Sequence, residues 1–479
     1  MPDNKKVITR FAPSPTGLLH IGGVRTALFA YLWARKNEGN FILRIEDTDK
    51  EREVAGSVTQ IQNSLTWLGI DWDYGPNKPS QDFGSCIQSE RLSVYKKYAD
   101  LLIEKGLAYP DPYTDVEVSA FREQAMAEKR PFLFRKHRPE KFEKWDENKP
   151  LRLKVPEIKR YTWHDEVRGE LTAGEEMVDD FIIIKADGYP TYNFAHIIDD
   201  LEMEVTHVMR GEEFISSMPK FLSLYDALEI DYPKLVTLPP IMGPDGKKKL
   251  SKRDGSKDAL EYAADGYLPS ALRNFLALIG WNPGGDRELF YEMSDLVEVF
   301  TLKGIQKSGG AFNEEKLKWM NKEHMEHLFT KEEKEDYVIS ALSERSPDIV
   351  KKLTTTIFER IHNQTEIREA AEAGEYDWAF GPIEYDIELL KWKNDDSVAA
   401  AQPRLEKALE LLQNTDFSTP DTIKGALWPY AEEVGKGELL WPLRVALTGR
   451  ERSPDPFTCA FILGKEETLL RVRSACDKI

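Results

Sequence analysis

The hydrophobic pattern of the first third of the chain switches between two periods. The runs VITRF (Val7–Phe11) and FILRIEDTD (Phe41–Asp49) are short, rich in β-formers and run into polar loops, which predicts strands. Between them Val24, Ala27, Leu28, Tyr31 and Leu32 keep the i, i+3, i+4, i+7, i+8 spacing of one buried helix face, with Gly39 as its stop. Strand, helix and strand in this span make a βαβ unit, whose crossover is expected to be right-handed. A second helix is predicted from Val54, Val58, Ile61, Leu65 and Leu68, ending at Gly69, and a third over Glu90–Gly106.

The pattern then changes. YPDPYTD (Tyr109–Asp115) is turn-rich, and the residues after it are polar and basic with aromatic interruptions. Strand signals return at DDFIIIKADGYPTYNFAHIIDD (Asp179–Asp200) and EVTHVMRGEEF (Glu204–Phe214). FLSLYDAL reads as a helix and KLVTLPPIM as a strand leading into a basic loop. These shifts place an α+β insertion at 111–185 inside one α/β fold made of 1–110 and 186–258. From Ala259 the chain reads mostly helical, with Leu405, Ala408, Leu409 and Leu412 on one face of a clear amphipathic helix. No internal repeat or low-complexity tract interrupts it.

Composition narrows the class. A chain of 479 residues with 41% apolar and 31% charged residues is that of a multidomain globular protein. No apolar run approaches the roughly 18 residues that span a bilayer, and KKVITRF carries no leader pattern. The three cysteines, Cys86, Cys459 and Cys476, have no metal spacing, so a reduced, cytoplasmic setting without a cysteine zinc site is expected. The net charge of −18 weighs against a uniformly nucleic-acid-binding surface. Two basic stretches stand out against it, Glu128–Lys144 and Asp245–Lys257.

The candidate chemistry begins with PSPTGLLHIGG. A strand ending in a Gly/Pro turn before a helix start directs unpaired N–H groups and partial positive charge at whatever lies above the strand, a ready phosphate site. Gly22 and Gly23 would allow close approach of a flat ligand, and His20 could donate to a phosphate oxygen. KKKLSKRDG (Lys247–Gly255) follows a later strand of the same fold. Its Lys249 and Lys252 would neutralise charge developing at an attacked phosphate. Neither element alone is specific; the pair in one α/β fold is.

With these two motifs, HIGG (His20–Gly23) and KLSKR (Lys249–Arg253), the chain resembles the class I aminoacyl-tRNA synthetases. The longer strings TRFAPSPTG, LRIEDTD, DGYPTYNFAHIIDD, THVMRGEEF and LRVALTGRERSPDP make it similar to the bacterial-type glutamyl-tRNA synthetases in particular. Gly23 stands where many class I enzymes have histidine, a variation known in this branch.

The resemblance implies a Rossmann-type catalytic domain with an α+β insertion, followed by mostly α-helical C-terminal domains. It implies ATP-dependent ligation of L-glutamate to the 3′ end of tRNA(Glu) through a glutamyl-adenylate, with Mg²⁺ accompanying the nucleotide. ATP would meet His20, Gly22, Gly23, Glu213, Lys249, Lys252 and Arg253, with His20, Lys249 and Lys252 the catalytic residues. Glutamate would meet Arg10, Ser14, Glu46, Tyr192, His196 and Arg210. The insertion would carry the acceptor end of tRNA, 259–325 would touch the inner stem, and 326–479 would bind the anticodon. Some bacterial members carry a cysteine-rich zinc site at the start of the insertion; AYPDPYTDVEV has no cysteine, so no zinc is expected. A monomer without membrane association is expected. A glutaminyl-tRNA synthetase is the nearest alternative, and Arg210 argues against it because a guanidinium suits a carboxylate rather than an amide. The short paralogue that glutamylates a tRNA base lacks the helical C-terminal region. A non-tRNA nucleotidyltransferase sharing the turn would be far shorter, and in a catalytically dead RNA-binding module Lys249 and Lys252 would have no task.

Overall fold

The computed structural model describes residues 6–250 and 257–479 and divides into two units. The first holds the residues up to Ala264 together with Leu268–Met320; the second holds Asp265–Tyr267 and Asn321–Ile479.

The strands of the first unit are β1 (Ile8–Phe11), β2 (Asn40–Leu43), β3 (Ala108–Pro110), β4 (Leu151–Leu153), β5 (Tyr161–Asp165), β6 (Gly169–Ala173), β7 (Ile182–Ile184), β8 (His207–Gly211), β9 (Lys234–Leu238), β10 (Ile241–Met242) and β11 (Gly310–Ala311). Its helices are α1 (Ile21–Lys36), α2 (Ser57–Trp67), α3 (Leu92–Glu104), α4 (Asp115–Ala127), α5 (Tyr192–Glu202), α6 (Met218–Leu228), α7 (Ala259–Ala264), α8 (Pro269–Leu278) and α9 (Met293–Val299). The central sheet runs β2-β1-β8-β9-β5-β6. It is parallel except for the antiparallel hairpin β5–β6, which pairs Tyr161 with Ala173. β1 has β2 on one side and β8 on the other, so the chain changes direction across the sheet at β1. The loops after β1 and β8 therefore diverge at one edge and leave a crevice, where ligands of open parallel sheets bind.

α1 packs on β1, β2 and β8 through the predicted face: Val24, Ala27, Leu28 and Leu32 are buried. α8 and α9 lie against it, with the Phe29 and Phe300 rings 5.3 Å apart. Another core joins Ile42, Trp163 and Leu235 of the sheet to Tyr95 of α3, Phe194 and Ile197 of α5 and Phe221 of α6.

The structure departs from the periodicity in three places. α2 starts after Gly56, whose left-handed backbone (φ 80°) begins the helix, so Val54 stands outside it and is exposed. The run FILRIEDTD is a strand only to Leu43. YNFAHIIDD, expected to be a strand, is the helix α5. Phe194 to Asp200 are all buried, yet Phe194, Ile197, Ile198 and Leu201 keep the i, i+3, i+4, i+7 spacing of a helix face, so the helical period is present here although the β-branched run before it favours a strand.

The segment 111–185 divides its strands between two sheets. β4 pairs with β3 and β7 in a small antiparallel sheet, whereas β5–β6 adds to the edge of the central sheet beside β9. Much of its basic character is used internally. Arg152 lies 3.4 Å over the Phe134 ring and pairs with Asp111, and Arg138 pairs with Asp180 at 2.6 Å. His137 stacks on Phe121 at 4.1 Å. Lys136, Lys141 and Lys144 remain exposed.

The helix α10 (Glu314–Leu328) contains the division between the units. The second unit continues with α11 (Lys331–Ala341), α12 (Pro347–Phe358), α13 (Gln364–Glu372), α14 (Gln402–Gln413), α15 (Pro420–Val434), α16 (Lys436–Thr448), α17 (Pro456–Leu463) and α18 (Lys465–Lys478). α14 packs along α18 and buries Leu405, Ala408 and Leu412, as their spacing predicts. No helix among the described residues is long and apolar enough to cross a membrane.

Candidate active site

Two cavities open at the crevice around β1 and β8. The first, of about 350 Å³, is lined by the start of α1, by Gly211 at the end of β8 and Glu213 beyond it, and by the segment Pro239–Ile241 with Lys249. His20 is the N-cap of α1, in extended backbone (φ −80°, ψ 159°). Ile21, Gly22 and Gly23 follow in the first turn, where N–H groups need acceptors from outside the helix. The two glycines have different reasons. A Cβ on Gly22 would meet nothing within 4 Å, so this backbone is open to a ligand. A Cβ on Gly23 would sit 2.7 Å from Leu19 Cδ1, so Gly23 serves packing beneath the turn. Glu213 faces Lys249 at 3.6 Å, both partly exposed. Lys252 and Arg253 lie outside the described residues.

The second cavity, of about 610 Å³, includes Ser14, Glu46, Tyr192 and Phe214 among its lining residues. Tyr192, His196 and Asp200 recur every fourth residue of α5 and so share one face. The His196 ring stacks on Tyr192 at 4.6 Å, and its Nδ1 lies 2.7 Å from the Tyr192 carbonyl oxygen. Nδ1 therefore carries the proton. Burial lowers the His196 pKa to about 3, keeping the ring neutral.

Beneath the cavity is a buried charge network that contains the expected Arg10 and Glu46, but whose centre, Asp199 and Asp200, no sequence reading singles out. Arg44 gives Nη1 to Asp200 at 2.7 Å and Nη2 to Glu46 at 2.9 Å. Arg10 gives Nε to Asp200 at 3.0 Å. Asp199 takes Arg91 Nε at 2.8 Å, Gln88 and the Tyr95 hydroxyl. Burial opposes the ionisation of Asp200, but Arg10 and Arg44 overcome it and hold this carboxylate well below its usual range. Glu46 goes the other way: burial outweighs Arg44 and pushes its pKa up to about 6. The signal for this network was the DD pair at 199–200, legible only once the segment is read as a helix.

Arg210, at the end of β8, is the exception. Its guanidinium lies over the Phe221 ring at 4.8 Å and the Phe214 ring at 5.5 Å, and Nη2 rests against the Met218 sulfur. It has no carboxylate partner among the described residues, and burial lowers its pKa. A half-buried cation that meets only aromatic faces and a thioether has the chemistry to accept an anion.

The second unit has a cavity of about 640 Å³ whose lining includes Arg360, Arg444, Arg450, Arg452, Tyr376 and Trp378. Arg444 and Arg450 are fixed by carbonyls of Ser453 and Gly374. Arginines beside aromatic rings suit phosphates and unstacked bases. Among the described residues no group of three or more His, Cys, Asp or Glu is arranged to hold a metal ion.

Comparisons with known proteins cover nearly the whole chain. Residues 6–319 match the family model for the catalytic domain of class I tRNA synthetases (E and Q), and residues 312–476 match that for an anticodon binding domain. The chain is 41% identical over 487 residues to the glutamate–tRNA ligase of Clostridium botulinum strain Hall, covering 99% of each. It is 39% identical to that of Clostridium tetani over 494 residues, covering 100% of this chain and 99% of the relative. Among solved structures, the glutamate tRNA ligase of Elizabethkingia meningosepticum in complex with its amino acid superposes with a TM-score of 0.86 at 32% identity, with 99% of each chain covered.

Proposed function

The chain belongs to the glutamate–tRNA ligases, class I aminoacyl-tRNA synthetases of protein synthesis, and on that premise we propose that its two crevice cavities divide ATP from glutamate. The reaction joins glutamate to tRNA(Glu) in two steps. The glutamate α-carboxylate attacks the α-phosphate of ATP and pyrophosphate leaves. The terminal ribose hydroxyl of the tRNA then attacks the carbonyl of the glutamyl-adenylate and AMP leaves. Neither step needs an enzyme nucleophile, so catalysis is positioning and charge stabilisation.

In this reading ATP occupies the smaller cavity. Its phosphates lie at the first turn of α1 beside His20 and the open backbone of Gly22. Lys249, with Lys252 and Arg253 of the same motif, neutralises the pentavalent phosphate. Mg²⁺ comes with the nucleotide, held by phosphates and water, since Glu213 is the only carboxylate lining this cavity among the described residues. Glutamate occupies the larger cavity. The free Oε2 of Glu46 takes the α-ammonium, Ser14 and Tyr192 border it, and neutral His196 offers Nε2 as an acceptor. Arg210 takes the γ-carboxylate, and Arg10 supports the site from below.

The observation that carries the assignment is the guanidinium of Arg210, left without a carboxylate among the described residues while Arg10, Arg44 and Arg91 each have one. A neutral glutamine amide would leave that cation uncompensated. The second unit's arginine-lined cavity is assigned to the anticodon, and the exposed lysines of the insertion to the acceptor end. The enzyme is read as a cytoplasmic monomer that needs no zinc; metal analysis finding about one zinc per chain would overturn the last point. ATP–pyrophosphate exchange with glutamate or glutamine, with and without tRNA, tests the whole assignment. Exchange driven by glutamine as well as by glutamate would reject it.

A further inference from the structure

Arg25 is a second cation on the wall of the nucleotide cavity, unlike Lys249 in being almost fully buried, at 3% exposure. No motif singles it out, and the mechanism above does not use it. Its guanidinium makes two bonds to main-chain carbonyls: Nη1 donates to Ile279 at 3.1 Å and Nη2 to Pro239. Nε has no hydrogen-bond partner, and no carboxylate lies within ion-pair distance among the described residues. Burial brings its pKa down to about 10, with Glu213 the acid that favours the charge.

The two carbonyls matter because of what they anchor. Pro239 and Pro240 offer no N–H for a sheet ladder. The chain beyond them folds back as a hairpin: Leu250 N–H donates to Ile241 at 2.8 Å, and Gly243 N–H to Lys248 at 2.7 Å. This hairpin carries Lys249. Ile279 ends α8. Next to it Gly280 (φ 85°) is in a region open to glycine, and a Cβ there would come 2.8 Å from Pro239 Cγ and 3.3 Å from Arg25 Nη1. The corner is thus packed tightly around one planar fork.

We infer that Arg25 is a positioning residue for ATP: it fixes the root of the Pro239–Leu250 hairpin onto α1, and with it the wall and the lysine that meet the nucleotide. A lysine at 25 keeps the charge but cannot reproduce two carbonyl bonds from one planar group. The effect is local to the nucleotide cavity; the glutamate-contacting face of α5 and Arg210 make no contact with Arg25 among the described residues.

This inference rests on the assignment of the smaller cavity to ATP. The experiment measures ATP–pyrophosphate exchange with tRNA present for the full-length wild type, Arg25→Lys and Gly280→Ala, together with thermal midpoints. The wild type shows glutamate-dependent exchange; its absence would overturn the cavity assignment and this inference with it. Arg25→Lys raises KM for ATP about tenfold or more while KM for glutamate stays within about twofold. Gly280→Ala, which pushes the same corner from the other side, shows the same one-sided change. KM for ATP within about twofold of wild type in Arg25→Lys overturns the inference, as does a parallel rise in both constants. An Arg25→Lys protein unfolded at assay temperature also counts against it, since a fold-wide role would then account for the arginine.

Discussion

Arg10 and Asp200 are locked in a two-point pair, Nε to Oδ1 at 3.0 Å and Nη2 to Oδ2 at 3.4 Å, with both side chains buried. The remaining nitrogen, Nη1, donates to the Met209 carbonyl. Because Asp200 also takes Arg44, one carboxylate serves two guanidinium groups. Among the described residues this pairing leaves Arg210 without a carboxylate, the cation that we assign to the substrate.

Asp200→Asn removes the charge but keeps the shape. Two buried arginines then share one weaker acceptor, and losing one partner of a buried ion pair costs on the order of 3–5 kcal/mol. The thermal midpoint of the first unit falls and KM for glutamate rises. A variant with wild-type melting and wild-type KM would show that the network is dispensable.

Arg210→Cys loses the anion receptor itself. KM for glutamate rises by about two orders of magnitude, the gap to glutamine narrows, and KM for ATP changes by less than about twofold. Steady-state exchange with each amino acid reads this directly. Normal activation of glutamate with continued exclusion of glutamine would remove Arg210 as the selector.

The Glu46 carboxyl, raised to about 6 by burial, gives the glutamate site a pH dependence. Binding the α-ammonium needs the ionised form, so kcat/KM for glutamate falls about tenfold per pH unit below about 6 and is flat above it. The free γ-carboxylate of glutamate titrates near 4.3, well below this range. Glu46→Gln abolishes the step along with most activity. A profile flat down to about pH 5 contradicts the role given to Glu46.

Lys249→Ala acts on the transition state rather than on binding. Single-turnover adenylate formation slows by about a hundredfold or more, while KM for glutamate is nearly unchanged. Lys252→Ala is expected to behave alike. An unaltered chemical rate in both variants would dismiss the basic motif as a surface loop.

Arg360→Ala and Arg444→Ala in the second unit test tRNA recognition. KM for tRNA rises about tenfold in each, with KM for ATP and glutamate within about twofold. Charging of tRNA at wild-type efficiency by both would exclude this cavity from anticodon binding.

The sequence by itself determined whatever is encoded locally. The period of Val24, Ala27, Leu28 and Leu32 specified the face that α1 buries, and the turn chemistry before it put His20 at the helix mouth. The two motifs and the strings around them gave the family because they are contiguous residue types in a fixed order, readable without the fold. The tertiary structure decided what depends on distant partners. Arg10 finds Asp200 across 190 residues, Arg25 finds Ile279 across 254, and the hairpin β5–β6 leaves its neighbours for the edge of the central sheet. The helix α5 is legible in the spacing of Phe194, Ile197, Ile198 and Leu201, but only the fold decides that its other face, with His196 and Asp200, is buried too. A charge in a sequence carries no record of its counter-charge; topology decides which arginine is neutralised and which is left for the substrate.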